Sequence, residues 1–520
     1  MSALYDLIIK NGKIIDGTGS PAYRADLAVS NGKIVRIDRG ITGGKKVIDA
    51  AGLVVTPGFI DSHSHADLGL LAYPEQTQKI QQGITTSISG QCGFSRAPLS
   101  RDADPSVPIG TYGTKGEVLG TMGRFLDTVK DIPLGANSAV FVGHDAIRRA
   151  VMGAENRAPS TEELERMKQL LRDGIEHGAM GVSFGLTYPS SCYAKIDELI
   201  ELAKVAAENN ALVAAHIRDE GDQLVRSTAE FLSILKASGA RGIHSHHKSM
   251  GSNNWGKVSH TLRMLDQANE EGVDVYCDVY PYCASNTDLI DNFIPQELHS
   301  EGTESILKLL ESPQKREELR QYNIAKWGED LSWVLITRSK LFPDHPDKRI
   351  PELAALCGKD PYDVVFDLIQ AQPTITANYF MVCEEDLELV MAHPRAMICT
   401  DSGVTAPNAG IAHPRMVGSF PRALGRYVRE RKVVSLPEMI RKMTAMPAAV
   451  YSLTGKGLLA EGFDADICIF DPDTIIDRAT FSERTLKAEG LNYVLLGGEV
   501  VVEDAVFNGK CMGKLLLRRR

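Results

Sequence analysis

Residues 58–67 read GFIDSHSHAD. An apolar run stops abruptly at His63 and His65, one residue apart and flanked by Asp61 and Asp67. Strand side chains alternate faces, so residues i and i+2 point the same way. The stretch therefore reads as a buried strand whose end offers two imidazoles on one side. Two such rings can hold one metal ion, or they can be two polar residues leaving a core. What the other strand ends offer decides between these readings.

Working outward, seven more apolar segments share the style of residues 53–61 (LVVTPGFID). They are ITTSISG (84–90), NSAVFVG (137–143), AMGVSFG (179–185), ALVAAHI (211–217), RGIHSHH (241–247), VDVYCDVY (273–280) and AMICTDS (396–402). Helical patterns lie between most of them. Ser160 and Glu163 form a capping-box pattern, followed by Leu164, Met167, Leu170, Leu171 and Ile175 at helical spacing. Further helices are expected over about 197–208 and 223–237. Eight such units predict an α/β fold, a (β/α)₈ TIM barrel with insertions. A doubly wound open sheet is the alternative, but no GxGxxG follows the first strand. WVLIT (333–337) is one strand candidate too many for the count.

Both chain ends are different in character. DLIIKNGKIIDG and ADLAVSNGKIVRID carry apolar residues around Asn-Gly turns, and LNYVLLGGEVVVEDAVF repeats the style near the C-terminus. A small β-sandwich domain from residues 1–55 and 455–520 is expected, with the barrel over 56–454. The long stretch before residue 396 exceeds one βα unit. An insertion at about 288–339 is expected, either covering the active site or decorating the periphery.

The bulk composition narrows the function. The chain has 520 residues, 43% hydrophobic and 24% charged, with a formal net charge of −10. An acidic chain argues against nucleic acid or an anionic membrane as partner. The opening MSALYDLIIKNGKIIDG is not built like a signal peptide, and no apolar run reaches transmembrane length. Nine scattered cysteines are not a disulfide framework, which fits a cytoplasmic protein. In the closing LLLRRR, the three arginines read as a solvated tail.

Barrel active sites form at the C-terminal ends of the strands. The first strand ends in His63 and His65, the second in Cys92, the fifth in His216. The sixth ends in His244, His246, His247 and Lys248, and the last in Asp401. His, Cys and Asp are the usual zinc ligands. One such residue alone would most simply be structural. Five strand ends delivering them to one rim predict a metal centre. His144, His244 and His247 are read as supporting or structural.

Here PGFIDSHSH resembles the first-strand signature of the amidohydrolase superfamily. QGITTSISGQCGFS, AMGVSFGLTYPSS, AHIRDE, SHHK, DVYPYCAS and HPRMVGSFPRALGRYVRE resemble its N-acyl-D-amino-acid deacylase (D-aminoacylase) branch, as does GLLAEGFDADICIFDPDTIIDRATF. The resemblance covers essentially the whole chain. Many superfamily members bridge two metals with a modified lysine on the fourth strand. This chain has none there, and Cys92 is the alternative bridging ligand. The resemblance implies a tighter zinc site of Cys92, His216 and His246, and a weaker one of His63, His65 and Asp401. It implies Asp401 as general base and acid, Tyr188 as a hydrogen-bond donor to the carbonyl, and Lys248, Tyr280, Asn286 and Arg415 as substrate-binding residues. The branch usually has Ser where Asn286 stands, an acidic residue where Ala66 stands and Asn where Gln91 stands. The activity expected is zinc-dependent hydrolysis of N-acyl-D-amino acids, small molecules, to a carboxylate and a free D-amino acid. The rivals are a cyclic-amide hydrolase of dihydroorotase or hydantoinase type, and a non-catalytic scaffold of the same fold.

Overall fold

The computed structural model describes residues 5–99, 120–407 and 410–518. Eight parallel strands close a barrel. They are β1 (Phe59–Asp61), β2 (Ile84–Ser89), β3 (Asn137–Val140, continued past Phe141 by Val142–Gly143), β4 (Gly181–Gly185), β5 (Leu212–His216), β6 (Arg241–His244), β7 (Val275–Val279) and β8 (Ala396–Ile398). Each pairs with the next in parallel register. The seam between β8 and β1 closes just beyond their ends. There Ser64 bridges Ser402, Asp401 N donates to His63 O at 2.9 Å, and His65 N donates to Ser402 O at 3.0 Å. Barrel closure and the two histidines therefore belong to one piece of backbone.

Burial accounts for the strand sequences. Ile60, Ile88, Phe141, Met180, Leu212, Ile243 and Met397 fill the barrel interior. The opposite faces pack beneath helices such as α1 (Thr161–Glu176), α2 (Ile196–Glu208) and α3 (Leu224–Ser238). The capping box that starts α1 is formed: Glu163 N donates to Ser160 Oγ, and Ser160 N donates to the Glu163 carboxylate at 2.7 Å.

The small domain is a sandwich of a four-stranded and a seven-stranded sheet, the latter joining Lys13–Ile14 and Val54–Pro57 to Ile467–Phe470 and Leu491–Leu496. Leu7, Ile9, Leu27, Val55, Ile467 and Leu495 form its core. Asn31-Gly32 makes the expected tight hairpin, both residues at positive φ, between Asp26–Ser30 and Lys33–Asp38. Asn11-Gly12 does not: the strands it joins lie in different sheets.

Two features depart from the sequence reading. The insertion is larger than 288–339. It has its own antiparallel sheet of Ser285–Asp288, Thr376–Tyr379, Val334–Ile336 and Lys348–Arg349, around a core that includes Phe293, Tyr362, Phe366 and Tyr379. The surplus strand at 333–337 belongs here, not to the barrel. Of the three closing arginines, expected to be solvated, Arg518 is tied to the barrel, and the leucines before it are anchored there too. Leu515 bridges Ser138, Leu516 packs against the barrel core, and Arg518 N donates to Gly178 O at 2.8 Å. Three adjacent leucines find an apolar surface at the foot of the barrel. The last two arginines lie outside the described residues, as do residues 1–4 of the expected small domain.

Candidate metal centre and cavity

The strand-end residues converge. Cys92 Sγ lies 3.2 Å from His63 Nε2 and 3.2 Å from His246 Nε2. Asp401 Oδ1 lies 3.2 Å from His65 Nε2 and 3.5 Å from His63 Nε2. The His216 and His246 rings pack edge to face, 4.5 Å between centroids. Ligand atoms of His63, His65, Cys92 and Asp401 lie within 4.8 Å of one another, as do those of Cys92, His216 and His246. Cys92 is common to both groups, and all six residues are buried.

The donor set fits zinc. A tetrahedral ion with Zn–S of about 2.3 Å and Zn–N of about 2.05 Å separates its ligand atoms by roughly 3.4–3.6 Å. The spacings observed are close to this. Charge agrees: burial pushes the Cys92 thiol up, but His63 and His246 outweigh it and hold it well below the usual thiol range. A thiolate among imidazoles is a metal ligand in waiting.

The backbone is shaped for this convergence. Cys92, His246 and Asp401 have φ of +54°, +34° and +47°. Such conformations are costly for residues other than glycine and collect at functional sites. The strand end at β4 contributes no ligand. It finishes at Gly185, where a Cβ would meet Cys92 O at 1.9 Å. No lysine stands on β4, and its end is pressed against the Cys92 loop instead.

A second layer orients the first, and sequence reasoning did not assign it. Glu220 Oε1 lies 3.0 Å from His246 Nδ1 and 2.6 Å from Lys248 Nζ. Asp278 Oδ1 accepts from His246 N at 2.6 Å and lies 3.5 Å from His63 Nδ1. Carboxylates behind metal-binding imidazoles fix their tautomer and raise their basicity. Lys79, fully buried, donates to Asp61 Oδ2, Thr400 Oγ1 and Ser402 O, bracing the seam on either side of Asp401. Glu220 was visible in AHIRDE and Asp278 in DVYPY, but only cross-strand contact gives them a role. His244 and His247 pair with each other at 3.0 Å and with Thr228 and Thr261, and His144 pairs with Ser191 and Glu198.

The centre opens into a cavity of about 1500 Å³. Tyr188, Lys248, Tyr280, Asn286, Asp401 and Arg415 all line it. Arg415 Nη1 lies 2.7 Å from Asp401 Oδ2, and its guanidinium sits 4.7 Å from the Tyr280 ring centre. Lys248 Nζ also faces that ring, at 5.6 Å. The buried Tyr280 hydroxyl has no hydrogen-bond partner among the described residues. Burial raises the Asp401 carboxyl, yet Arg415 and His246 hold it well below the carboxylate range. Burial and the Cys92 charge push the Tyr188 hydroxyl well above its ordinary value, so it stays protonated. Asn286 turns its amide toward Ala377 O and Asn378 Oδ1, tying the insertion's strands together at the cavity wall. Lys248 is already held by Glu220 and by His246 O, which the sequence did not foretell.

Comparison with known proteins agrees with this geometry. The amidohydrolase family model matches residues 46–502. The chain is 35% identical to D-aminoacylase of Alcaligenes xylosoxydans xylosoxydans, over 99% of this chain and 98% of that one. It is similar to solved N-acyl-D-glutamate deacylase from Bordetella bronchiseptica, complexed with zinc and a phosphonate mimic of the tetrahedral intermediate: TM-score 0.85, 34% identity, 99% and 100% covered. A solved D-aminoacylase studied for the role of its binuclear metal centre matches at TM-score 0.84 and 34% identity, 99% of this chain and 100% of that one.

Proposed function

The chain belongs to the amidohydrolase family, and from that premise we propose that it is a zinc-dependent deacylase, hydrolysing N-acyl-D-amino acids to a carboxylate and a free D-amino acid. One observation carries the reading. One buried sulfur, that of Cys92, stands 3.2 Å from both His63 and His246 on the floor of a cavity that also holds Arg415, Lys248 and Tyr280. We assign Cys92, His216 and His246 to a tighter site and His63, His65 and Asp401 to a weaker one. When bound there, zinc acts as a Lewis acid toward the amide carbonyl and lowers the pKa of water to about 7.

The chain's own groups do the rest. Asp401, held low by Arg415, is a weak base that takes a proton only from an acidified water. It then returns that proton to the leaving amine nitrogen. Tyr188, kept protonated, donates a hydrogen bond to the carbonyl oxygen as charge develops there. Arg415 binds the α-carboxylate with its planar fork. Lys248 adds positive charge to that end, and the unpartnered Tyr280 hydroxyl donates to the same carboxylate. A fixed carboxylate and a fixed carbonyl leave one hand of the α-carbon compatible with the cavity. Asn286 shapes the wall.

A cyclic-amide hydrolase is disfavoured because β4 carries no lysine. A scaffold is disfavoured because ligands, base and clamp are all present. Nine unpaired cysteines are in keeping with a cytoplasmic location, and among the described residues no helix is long and apolar enough to cross a membrane. The test is hydrolysis of paired N-acetyl-D- and N-acetyl-L-amino acids by the zinc-loaded protein. Release of D-amino acids alone is expected. Equal turnover of both hands, or ring opening of hydantoins in preference to linear amides, would refute the assignment.

A further inference from the structure

One excursion of the small domain reaches out to the barrel. Between the strands Ile467–Phe470 and Leu491–Leu496, residues 471–490 leave the sheet and lie along the helical stretch that starts at Arg415 and continues to Glu430. Arg429 Nη1 donates to Ile475 O at 2.6 Å, and Arg422 Nη1 to Asp477 Oδ2 at 3.2 Å. The approach is close enough to need a glycine. A Cβ on Gly418 would meet Tyr282 Oη at 2.5 Å and Asp477 Cβ at 2.9 Å.

The excursion ends on the groups that hold the root of Arg415. Asp477, itself buried, also accepts from Tyr282 Oη at 3.1 Å, and Tyr282 N donates to Tyr280 O at 2.9 Å. Phe481 packs edge to face on His413, 4.8 Å between ring centres, and His413 packs edge to face on Tyr282 at 5.3 Å. His413 is buried and both its ring nitrogens are engaged. Arg415 N donates to Nδ1 at 2.9 Å, so Nδ1 carries no proton. Nε2 carries it and donates to Ala284 O at 2.9 Å. One neutral imidazole therefore ties the backbone of Arg415 to the segment after β7 that carries Tyr280 and Asn286.

We propose that His413 is a positioning residue for the α-carboxylate clamp, and that Phe481 and Asp477 of the small domain hold it and Tyr282 in place. The proposal rests on the deacylase reading above and adds to it the part that sets the clamp. His413, Phe481 and Asp477 do not line the cavity, so they act only through Arg415 and Tyr280, which do. A guanidinium on a long, flexible stem recognises a carboxylate bidentately only when its root is fixed. Displacing such a group by about 1 Å can cost on the order of 100-fold. Apolar packing would seal the same contact without direction. An imidazole bonded at both nitrogens fixes two segments at one distance and one angle.

The test is steady-state kinetics of the zinc-loaded protein on the N-acetyl-D-amino acid it turns over best. His413→Phe keeps the volume and packing of the ring and removes both hydrogen bonds. KM should rise about tenfold or more, with kcat changed by less than roughly threefold and bound zinc per chain unchanged. Phe481→Ala leaves the imidazole in place and removes its outer support. It should raise KM by about threefold or more, and it decides the matter if His413→Phe does not fold. A residue that only maintains the fold would lower kcat or zinc content and leave KM alone. That pattern in His413→Phe, or an unchanged KM in Phe481→Ala, overturns the proposal and leaves the deacylase reading standing. If no N-acetyl-D-amino acid is cleaved, the deacylase reading fails, and calorimetry with D-leucine and D-leucinamide decides the clamp. A preference for the carboxylate form that falls in either variant supports the proposal. No preference in the unaltered protein, or the same preference in the variants, overturns it.

Discussion

Cys92 is the side chain that both halves of the centre share. Cys92→Ala should lower bound zinc per chain and turnover together, read by metal analysis and steady-state kinetics on one preparation. Full zinc with normal turnover would reduce Cys92 to a core cysteine. Asp401→Asn keeps the shape of the side chain and removes the base. Turnover should fall by about 10²- to 10⁴-fold, the usual contribution of a positioned acid–base group. Affinity for a product analogue should change much less, and zinc content must be measured alongside, because Asp401 also faces His63 and His65. Lys248→Met is a different kind of change. Lys248 and Glu220 are both buried and 2.6 Å apart. Removing one partner of a buried pair costs about 3–5 kcal/mol. The variant should therefore lose thermal stability as well as affinity for the α-carboxylate. A loss of affinity with an unchanged melting temperature would show that Glu220 does not depend on this lysine.

At the scale of elements, legibility followed the physics of each signal. The eight barrel strands were readable because burial on both faces writes nearly continuous apolar runs. The rim was readable because His, Cys and Asp at strand ends are rare in company. The insertion's edges were not: SNTD and TANY are short and polar, and they become strands by pairing, SNTD with TANY and TANY also with Val334–Ile336. The roles of Glu220, Asp278 and Lys79 were hidden for a related reason, since each is defined by a neighbour on another strand. The insertion's closeness to the centre has a measurable consequence. Residues 285–297 and 322–333 include several that line the cavity. Amide hydrogen exchange in these stretches should slow when a D-amino-acid product occupies the cavity, while residues 313–321, the part of the helix Pro313–Trp327 that does not line the cavity, change little. Unchanged exchange at saturating product would make the insertion a fixed wall that ligand does not order.

For the whole molecule, the centre is a clasp on a barrel that is already closed. His63 and Asp401 lie at opposite ends of the barrel's sequence, yet their strands are joined by backbone hydrogen bonds and by buried Lys79. The barrel, sandwich and insertion each have an apolar core of their own. This is unlike a zinc finger, whose fold depends on the metal outright. Chelation should therefore abolish turnover and leave far-UV circular dichroism at 25 °C unchanged. Stability should still fall, because an ion that binds only the folded chain adds RT ln(1 + [L]/Kd), about 2.7 kcal/mol at 100 Kd. The melting temperature should drop by several degrees on chelation and return when zinc is added back. The two sites divide this recovery. The first equivalent of zinc should restore most of the melting temperature if Cys92, His216 and His246 bind more tightly, with a second equivalent adding less. Loss of secondary structure at 25 °C on chelation would make the metal a folding ligand rather than a clasp. Equal increments from both equivalents would remove the distinction between tight and weak sites.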